Sequence, residues 1–200
     1  MSGLFVAFEG GDGCGKSTQA RRVAAARGAH FTFEPGDSPL GADLRRWLLD
    51  ASAPMSPETE ALLMLSDRSH HVRSVIEPLC AAGTNVVSDR FAASTLAYQG
   101  YGRGVDLGDL RAATELAIGA CAADLTVLLD VSPQVANARR EPDRRDRFES
   151  QDSGFHDRVR RGYLEMAAAG GDRWIVIDAS GDVEDVSREI DLALDSLAWT

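Results

Sequence analysis

Gly10-Gly11-Asp12-Gly13-Cys14-Gly15-Lys16-Ser17 follows directly on the apolar run Leu4-Phe5-Val6-Ala7-Phe8. An apolar strand, a G-x-x-x-x-G-K-S loop and then a helix is the context in which this motif cradles phosphate. The glycines let the backbone curl, so that successive amide N–H groups converge on anionic oxygens. A helix predicted to open near Gly15 aims its positive dipole end at the same anion. Lys16 supplies a compact charge for the outer phosphates, and the Ser17 hydroxyl is a ligand for Mg²⁺. Lys16 is also the only lysine in the chain, every other basic residue being arginine. An ordinary glycine-rich turn would leave that placement unexplained. The stretch implies a nucleoside triphosphate site, with Gly10, Gly11, Asp12, Gly13, Cys14, Gly15, Lys16, Ser17 and Thr18 as its binding residues.

Composition narrows the partners. Two hundred residues suit one domain around one sizeable core. A net charge of −10 disfavours a nucleic-acid partner, which needs a basic face, but not a nucleotide, for which a few focused cations in a cleft suffice. No apolar run approaches a membrane span, and residues 4–8 run straight into the loop as a core strand rather than a signal segment. Cys14, Cys80 and Cys121 show neither a pairing nor a metal-ligand pattern, which suggests free thiols in a reducing cytoplasm. Cytoplasmic, without membrane or nucleic-acid partner, is the expectation.

Around the loop, apolar strands alternate with helical segments. Strands are predicted at 4–8, 30–33, 85–87, 125–131 and 174–177. Helices are predicted from Gly15 to Arg27, from Pro39 through Leu49 with Ser38 as cap, and from Glu58 toward Ala82 with a bend near Pro78. Further helices cover 107–122, Pro133–Arg140, Phe155–Ala169 and Val183–Leu197. The acidic tail helix reads as a solvated face. Residues 141–149 are charged and apolar-poor, hence exposed. Strands separated by helices argue for a parallel sheet covered on both faces: one α/β domain over residues 1–200, with a flap at about 139–150 and no internal repeat.

A triphosphate site alone does not fix the reaction. A guanine-reading N-K-x-D motif is impossible with one lysine, already used, and transporter-type signatures are absent. A small enzyme moving a phosphoryl group between nucleotides remains. Asp89-Arg90 leaves the end of a core strand, where open α/β sheets place ligands. A carboxylate there suits Mg²⁺, and an arginine fork grips phosphate. The cluster Arg139, Arg140, Arg144, Arg145 and Arg147 reads as a charged loop or as a closing flap whose arginine stabilises charge in transit. Cys14, beside a helix N-terminus, is expected to have a lowered thiol pKa and to be oxidation-sensitive. His70 and His71 read as surface or dimer-face residues rather than metal ligands, and Trp47, Trp174 and Trp199 as packing residues.

Phe8-Glu9-Gly10 through Gln19 resembles the opening of bacterial thymidylate kinases. Glu34-Pro35-Gly36 through Arg45, Asp89-Arg90-Phe91-Ala92-Ala93-Ser94-Thr95-Leu96-Ala97-Tyr98-Gln99-Gly100, Gly102-Arg103-Gly104, Leu129-Asp130-Val131, Asp146-Arg147-Phe148-Glu149 and Ile177-Asp178-Ala179-Ser180 follow in the same order. The resemblance implies a three-layer P-loop nucleoside monophosphate kinase-like fold with a five-stranded parallel sheet. It further implies transfer of the ATP γ-phosphoryl to dTMP with Mg²⁺, in a homodimer. By position, Asp12 would accept from the deoxyribose 3′-hydroxyl, Arg90 and Arg45 would hold the acceptor phosphate, and Ser17 and Asp89 would serve the metal. Arg68 would reach a thymine carbonyl, Thr95 would read the base edge, and Tyr98 would crowd out a ribose 2′-hydroxyl, with Glu34 and Gln99 in the same pocket. Lys16 and Arg90 would act in catalysis with a flap arginine, since Gly13 and Cys14 bring no basic side chain to the loop; Arg139, Arg144 and Arg147 remain alternatives.

Three positions depart from the family pattern. Met64 stands where a phenylalanine usually stacks on the base, Phe33 where an arginine precedes Glu-Pro-Gly, and Asp37 adds negative charge near the acceptor phosphate. They leave open a kinase for a related pyrimidine deoxynucleotide. A nucleotide-binding regulator is the reading from another class.

Overall fold

The computed structural model describes residues 2–139, 147–197 and 199. Its centre is a five-stranded, all-parallel sheet: β1 (Phe5–Glu9), β2 (His30–Phe33), β3 (Val86–Asp89), β4 (Leu125–Asp130) and β5 (Trp174–Asp178), in the spatial order β2-β3-β1-β4-β5. All of β1 is buried and its side chains alternate between faces, as strand geometry requires. Val6 and Phe8 join one core with Val23, Val127, Leu129, Ile190 and Leu194, whereas Phe5 and Ala7 join another with Val72, Ile76 and Phe91. Burial on both faces is why the central strands read as continuous apolar runs.

From β1 the chain travels through α1 (Lys16–Arg27) to β2 at one edge, and from β3 it travels to β4 on the opposite side. The connections leaving these two neighbours therefore diverge, which opens a crevice at their carboxyl ends. The register sets Phe8 of β1 beside Asp89 of β3, so the phosphate loop and the Asp89-Arg90 pair leave the sheet together.

The Ser38 cap read from sequence is formed, accepting from the Gly41 amide at the start of α2 (Pro39–Leu49). Ser56, not read as a cap from sequence, accepts from the Thr59 amide at the start of α3 (Pro57–His71), and each helix has proline in its first turn. The expected bend near Pro78 is instead a π-helical segment, Val72–Ile76, joining α3 to α4 (Glu77–Ala81). Pro78 has no N–H to donate to the carbonyl four residues earlier, and the widened turn before it absorbs that missing bond. A second π segment, Leu96–Gly102, continues α5 (Ala92–Thr95).

The remaining helices are α6 (Leu107–Ile118), α7 (Pro133–Arg139), α8 (Ser153–Ala169) and α9 (Val183–Leu194). In α9 the acidic residues face outward, while Val186, Ile190 and Leu194 are buried against the sheet. Trp47 departs from expectation: it is 61% exposed, because α2 turns Leu48 rather than its neighbour toward the core. Among the described residues, no helix is long and apolar enough to cross a membrane.

Ile190 is fully buried, so Ile190→Ala is expected to destabilise the fold by about 2–5 kcal/mol. Urea unfolding with an unchanged slope and a loss under about 1 kcal/mol would show that α9 is not part of the main core.

Candidate active site

The loop between β1 and α1 depends on two glycines. Gly13 has φ of 82° and Gly10 of 144°, and a Cβ on either would lie 2.5 Å from a backbone carbonyl, of Ala136 and Leu129 respectively. No larger residue fits that approach. Lys16 is buried at the first turn of α1, its Nζ donating to the Gly11 carbonyl at 3.2 Å and lying 3.8 Å from Asp12 Oδ1. Ser17 donates its hydroxyl to Asp89 Oδ2, while Asp89 Oδ1 is buried with no hydrogen-bond partner among the described residues. An orphaned carboxylate oxygen beside a hydroxyl is a hard-oxygen pair, the donor type that suits Mg²⁺.

Arg90 lies across the crevice. It is the one non-glycine with positive φ among the described residues, at 75°. This conformation is sparsely populated for a bulky side chain and persists only where the surroundings enforce it. The Arg90 amide donates to the Phe8 carbonyl at 2.9 Å, and Ser88 Oγ donates to the Arg90 carbonyl at 2.7 Å. The guanidinium reaches Asp12 Oδ1 at 2.5 Å and Tyr98 Oη at 3.1 Å, and the Tyr98 hydroxyl donates to Asp12 Oδ2 at 2.7 Å. Burial opposes ionisation of Asp12, but the charges of Arg90 and Lys16 and the Tyr98 bond outweigh it and hold the carboxyl below the ordinary range.

Beneath them sits Glu9, a residue that sequence reasoning passed over. Its carboxylate accepts from the amides of Phe91 and Ser94 at 2.9 and 3.2 Å and from the hydroxyls of Ser94 and Tyr163 at 2.7 and 2.9 Å. Complete burial pushes its carboxyl up despite those donors. It closes the amino end of the short α5 and so fixes the segment that carries Arg90.

The crevice widens into a cleft of about 790 Å³. Arg45, Met64, Arg68, Thr95, Tyr98 and Gln99 all line it. Arg68 is only 2% exposed: Nε donates to Glu34 Oε2 at 2.8 Å, Nη1 to Thr95 Oγ1 at 2.6 Å and Nη2 to the Phe91 carbonyl at 2.8 Å. Glu34 borders the cleft with both oxygens engaged, one by Arg68 and the other by His71 Nδ1 at 2.8 Å. Burial again opposes ionisation, and Arg68 and His71 overcome it, holding Glu34 below the usual carboxylate range. Met64 has two roles at once, packing into the core and facing the cleft. Phe33 lines the cleft with the Arg45 guanidinium 5.6 Å from its ring centre. Asp37 accepts from Thr32 Oγ1 at 2.5 Å, which accounts for its charge away from the cleft lining.

Several expectations need correction. His71 is 1% exposed, not a surface residue, because Glu34 and Thr32 bracket its ring from distant parts of the chain. Cys14 is buried at 2% exposure, and burial pushes its thiol up despite the Lys16 charge, so it lacks the lowered pKa expected beside a helix N-terminus. Arg147 and Phe148 are buried rather than exposed, at 8% and 6%. Arg147 donates through Nη2 to the carbonyls of Asp50, at 2.7 Å, and Ala53, and Arg139 donates to those of Ala179, Ser180 and Gly181 at 2.8–3.1 Å. Neither lines the cleft in this conformation. Arg144, with Arg140 and Arg145, lies outside the described residues.

A family model described as thymidylate kinase matches residues 8–190. The chain belongs to the thymidylate kinase family. Among curated members, the thymidylate kinase of Desulforudis audaxviator is 46% identical over 186 residues, covering 90% of this chain and 84% of the relative. That of Leifsonia xyli subsp. xyli is 42% identical over 200 residues, covering 96% and 95%. A crystal structure of thymidylate kinase from Ehrlichia chaffeensis superposes with a TM-score of 0.81 at 29% identity, over 98% of this chain and 99% of the other. Family membership makes the chain an ATP-dependent kinase with nucleotide substrates.

Asp67, on α3 near the Gly36–Gly41 turn, accepts from the Gly36 amide at 3.3 Å and leaves Oδ1 unpartnered. Burial and then the nearby Glu34 charge push its carboxyl up to about 6. The folded state therefore binds this proton more tightly than the unfolded chain. The resulting stability is complete below the ordinary carboxylate range and is lost as pH rises through about 6. Asp67→Asn should escape that loss: melting curves between about pH 4 and 7 should show the variant gaining on the wild type as pH rises, then running parallel. A constant offset across that window would refute the buried carboxyl.

Proposed function

We propose that this chain transfers the γ-phosphoryl group of ATP to dTMP, forming dTDP, in the cytoplasm and as a homodimer. The observation that carries the reading is the pairing of Arg90 with Asp12 and Tyr98 across the mouth of the phosphate loop. It sets an acceptor-phosphate fork beside the residues that would hold the donor. ATP would lie in the Gly10–Thr18 cradle with Lys16 on its outer phosphates. Ser17 and Asp89 would hold Mg²⁺, which when bound neutralises charge on the phosphates and orients them.

On the acceptor side, Arg90 and Arg45 would bind the dTMP phosphate, and Asp12 would take a hydrogen bond from the 3′-hydroxyl. Three of the five N–H donors of Arg68 are used within the protein, which leaves two for a base carbonyl, with Thr95 at the base edge. Met64 would pack on the thymine ring through its thioether, and Gln99, held by Glu60 at 3.0 Å, would border the base. Tyr98, fixed by Asp12 and Arg90, would crowd out a 2′-hydroxyl. The flap arginine would come from Arg139, Arg144 or Arg147, and the first and last of these must leave their carbonyl partners to act. Leu62 and Leu116, exposed on the neighbouring helices α3 and α6, support association, and three free cysteines support a reducing compartment.

A coupled ADP-release assay with dTMP, dUMP, dCMP and UMP should give the highest kcat/KM for dTMP. Equal rates on all four would reject the specificity and favour the broader pyrimidine reading that Phe33 and Met64 keep in view.

Lys16→Ala should lower kcat by about a hundredfold or more, because it removes charge stabilisation that exists mainly in the transition state. Retained turnover in that variant would reject the cradle as the donor site.

A further inference from the structure

Three hydrogen bonds run in series beneath the cleft: Asp37 Oδ2 to Thr32 Oγ1 at 2.5 Å, Thr32 Oγ1 to His71 Nε2 at 2.5 Å, and His71 Nδ1 to Glu34 Oε1 at 2.8 Å. Each needs one hydrogen. The two carboxylates at the ends bring none, the Thr32 hydroxyl brings one, and a neutral imidazole brings one. The series is one hydrogen short unless Asp37 carries a proton or the His71 ring carries hydrogens on both nitrogens, and only the second gives Glu34 and Thr32 a donor each from the ring.

With both in place every donor has an acceptor. Thr32 donates to Asp37, His71 Nε2–H donates to Thr32, and His71 Nδ1–H donates to Glu34. Charge then alternates along the row Asp37, His71, Glu34, Arg68. That is the arrangement under which buried ions can be held, each paired and hydrogen-bonded.

We propose that His71 is a positioning residue for the acceptor pocket. As an imidazolium braced by Thr32, it fixes the Glu34 carboxylate, and Glu34 in turn fixes the fork of Arg68. Arg68 spends three donors on Glu34, Thr95 and the Phe91 carbonyl. Its remaining N–H groups can meet an acceptor in the cleft only if the plane of the fork is held. Among the described residues the cleft-lining side chain that His71 hydrogen-bonds is Glu34, and its charge also reaches Asp67, one turn earlier on α3, so its effect falls on the acceptor side of the cleft. It leaves the donor cradle around Lys16 alone. The inference rests on the thymidylate-kinase reading for the identity of the acceptor, but not for the state of the ring.

The test has two arms on the full chain. Side-chain ¹⁵N NMR at neutral pH resolves the ring nitrogens of the four histidines, and the His71 signal is assigned by its loss in His71→Asn or its shift in Thr32→Val. Both nitrogens of His71 should be protonated; a ring with one protonated nitrogen overturns the inference.

In steady-state kinetics, His71→Asn and Thr32→Val should raise KM for dTMP about tenfold, the cost of leaving a buried polar group unpaired, with kcat and KM for ATP unchanged. Thr32→Ser, which keeps the hydroxyl, should restore the wild-type KM. Parallel loss in kcat and in both KM values, or no change in any, overturns it. Should His71→Asn fail to fold, Thr32→Val and the wild-type ring spectrum decide. If dTMP proves not to be a substrate, the ring spectrum still decides this inference, and the split is read with whichever acceptor the assay identifies.

Discussion

Arg90 reaches Asp12 only because two parallel strands end side by side. Phe8 pairs with Asp89, and the Arg90 amide is tied back to the Phe8 carbonyl. The backbone must then turn through φ of 75° to aim the guanidinium over the phosphate loop. That strained turn is held from below by Glu9 and from the side by Ser88. Both grips are hydrogen bonds to main-chain atoms, which is what over-determines an unfavourable backbone conformation. If the β1–β3 register slipped, the donor cradle and the acceptor fork would no longer face one another.

The electrostatics follow from the same placement. The chain carries a net charge of −10, and the crevice gathers Lys16, Arg45, Arg68 and Arg90 around a space that Asp12, Glu34, Asp67, Asp89 and Glu149 also line. Three of these carboxylates are committed, Asp12 to Arg90 and Tyr98, Glu34 to Arg68 and His71, and one oxygen of Asp89 to Ser17, whereas Asp67 keeps one oxygen unpartnered. Asp12 and Glu34, buried and paired in this way, are held ionised and cancel arginine charge until an anionic ligand competes for it.

What sequence reveals here is what is local. The phosphate loop, the Ser38-Pro39 cap and the five strands are legible because each depends on residues a few positions apart. Thr95, Tyr98 and Gln99 stand in one block of the family resemblance and Arg68 was placed by position within it, not by spacing, and the structure gathers all four on one cleft. The misses around the site mostly involve distant partners. His71 reads as exposed until Glu34, 37 residues away, closes on it. Glu9 looks like a strand residue until Tyr163 arrives from 154 residues downstream. Arg147 looks like flap surface because its acceptors are main-chain carbonyls, which leave no mark on side-chain pattern. The π segments escape for a related reason: one residue added to a turn shifts the helical period without changing composition.

The account stands or falls on where the two nucleotides sit relative to Arg90. A crystal structure with a non-hydrolysable ATP analogue and dTMP should show the triphosphate on the loop amides and Lys16. It should also show the dTMP phosphate on the Arg90 guanidinium and the base against Arg68 and Thr95. An acceptor bound away from Arg90 and Tyr98, with Arg90 still closed on Asp12, would contradict it.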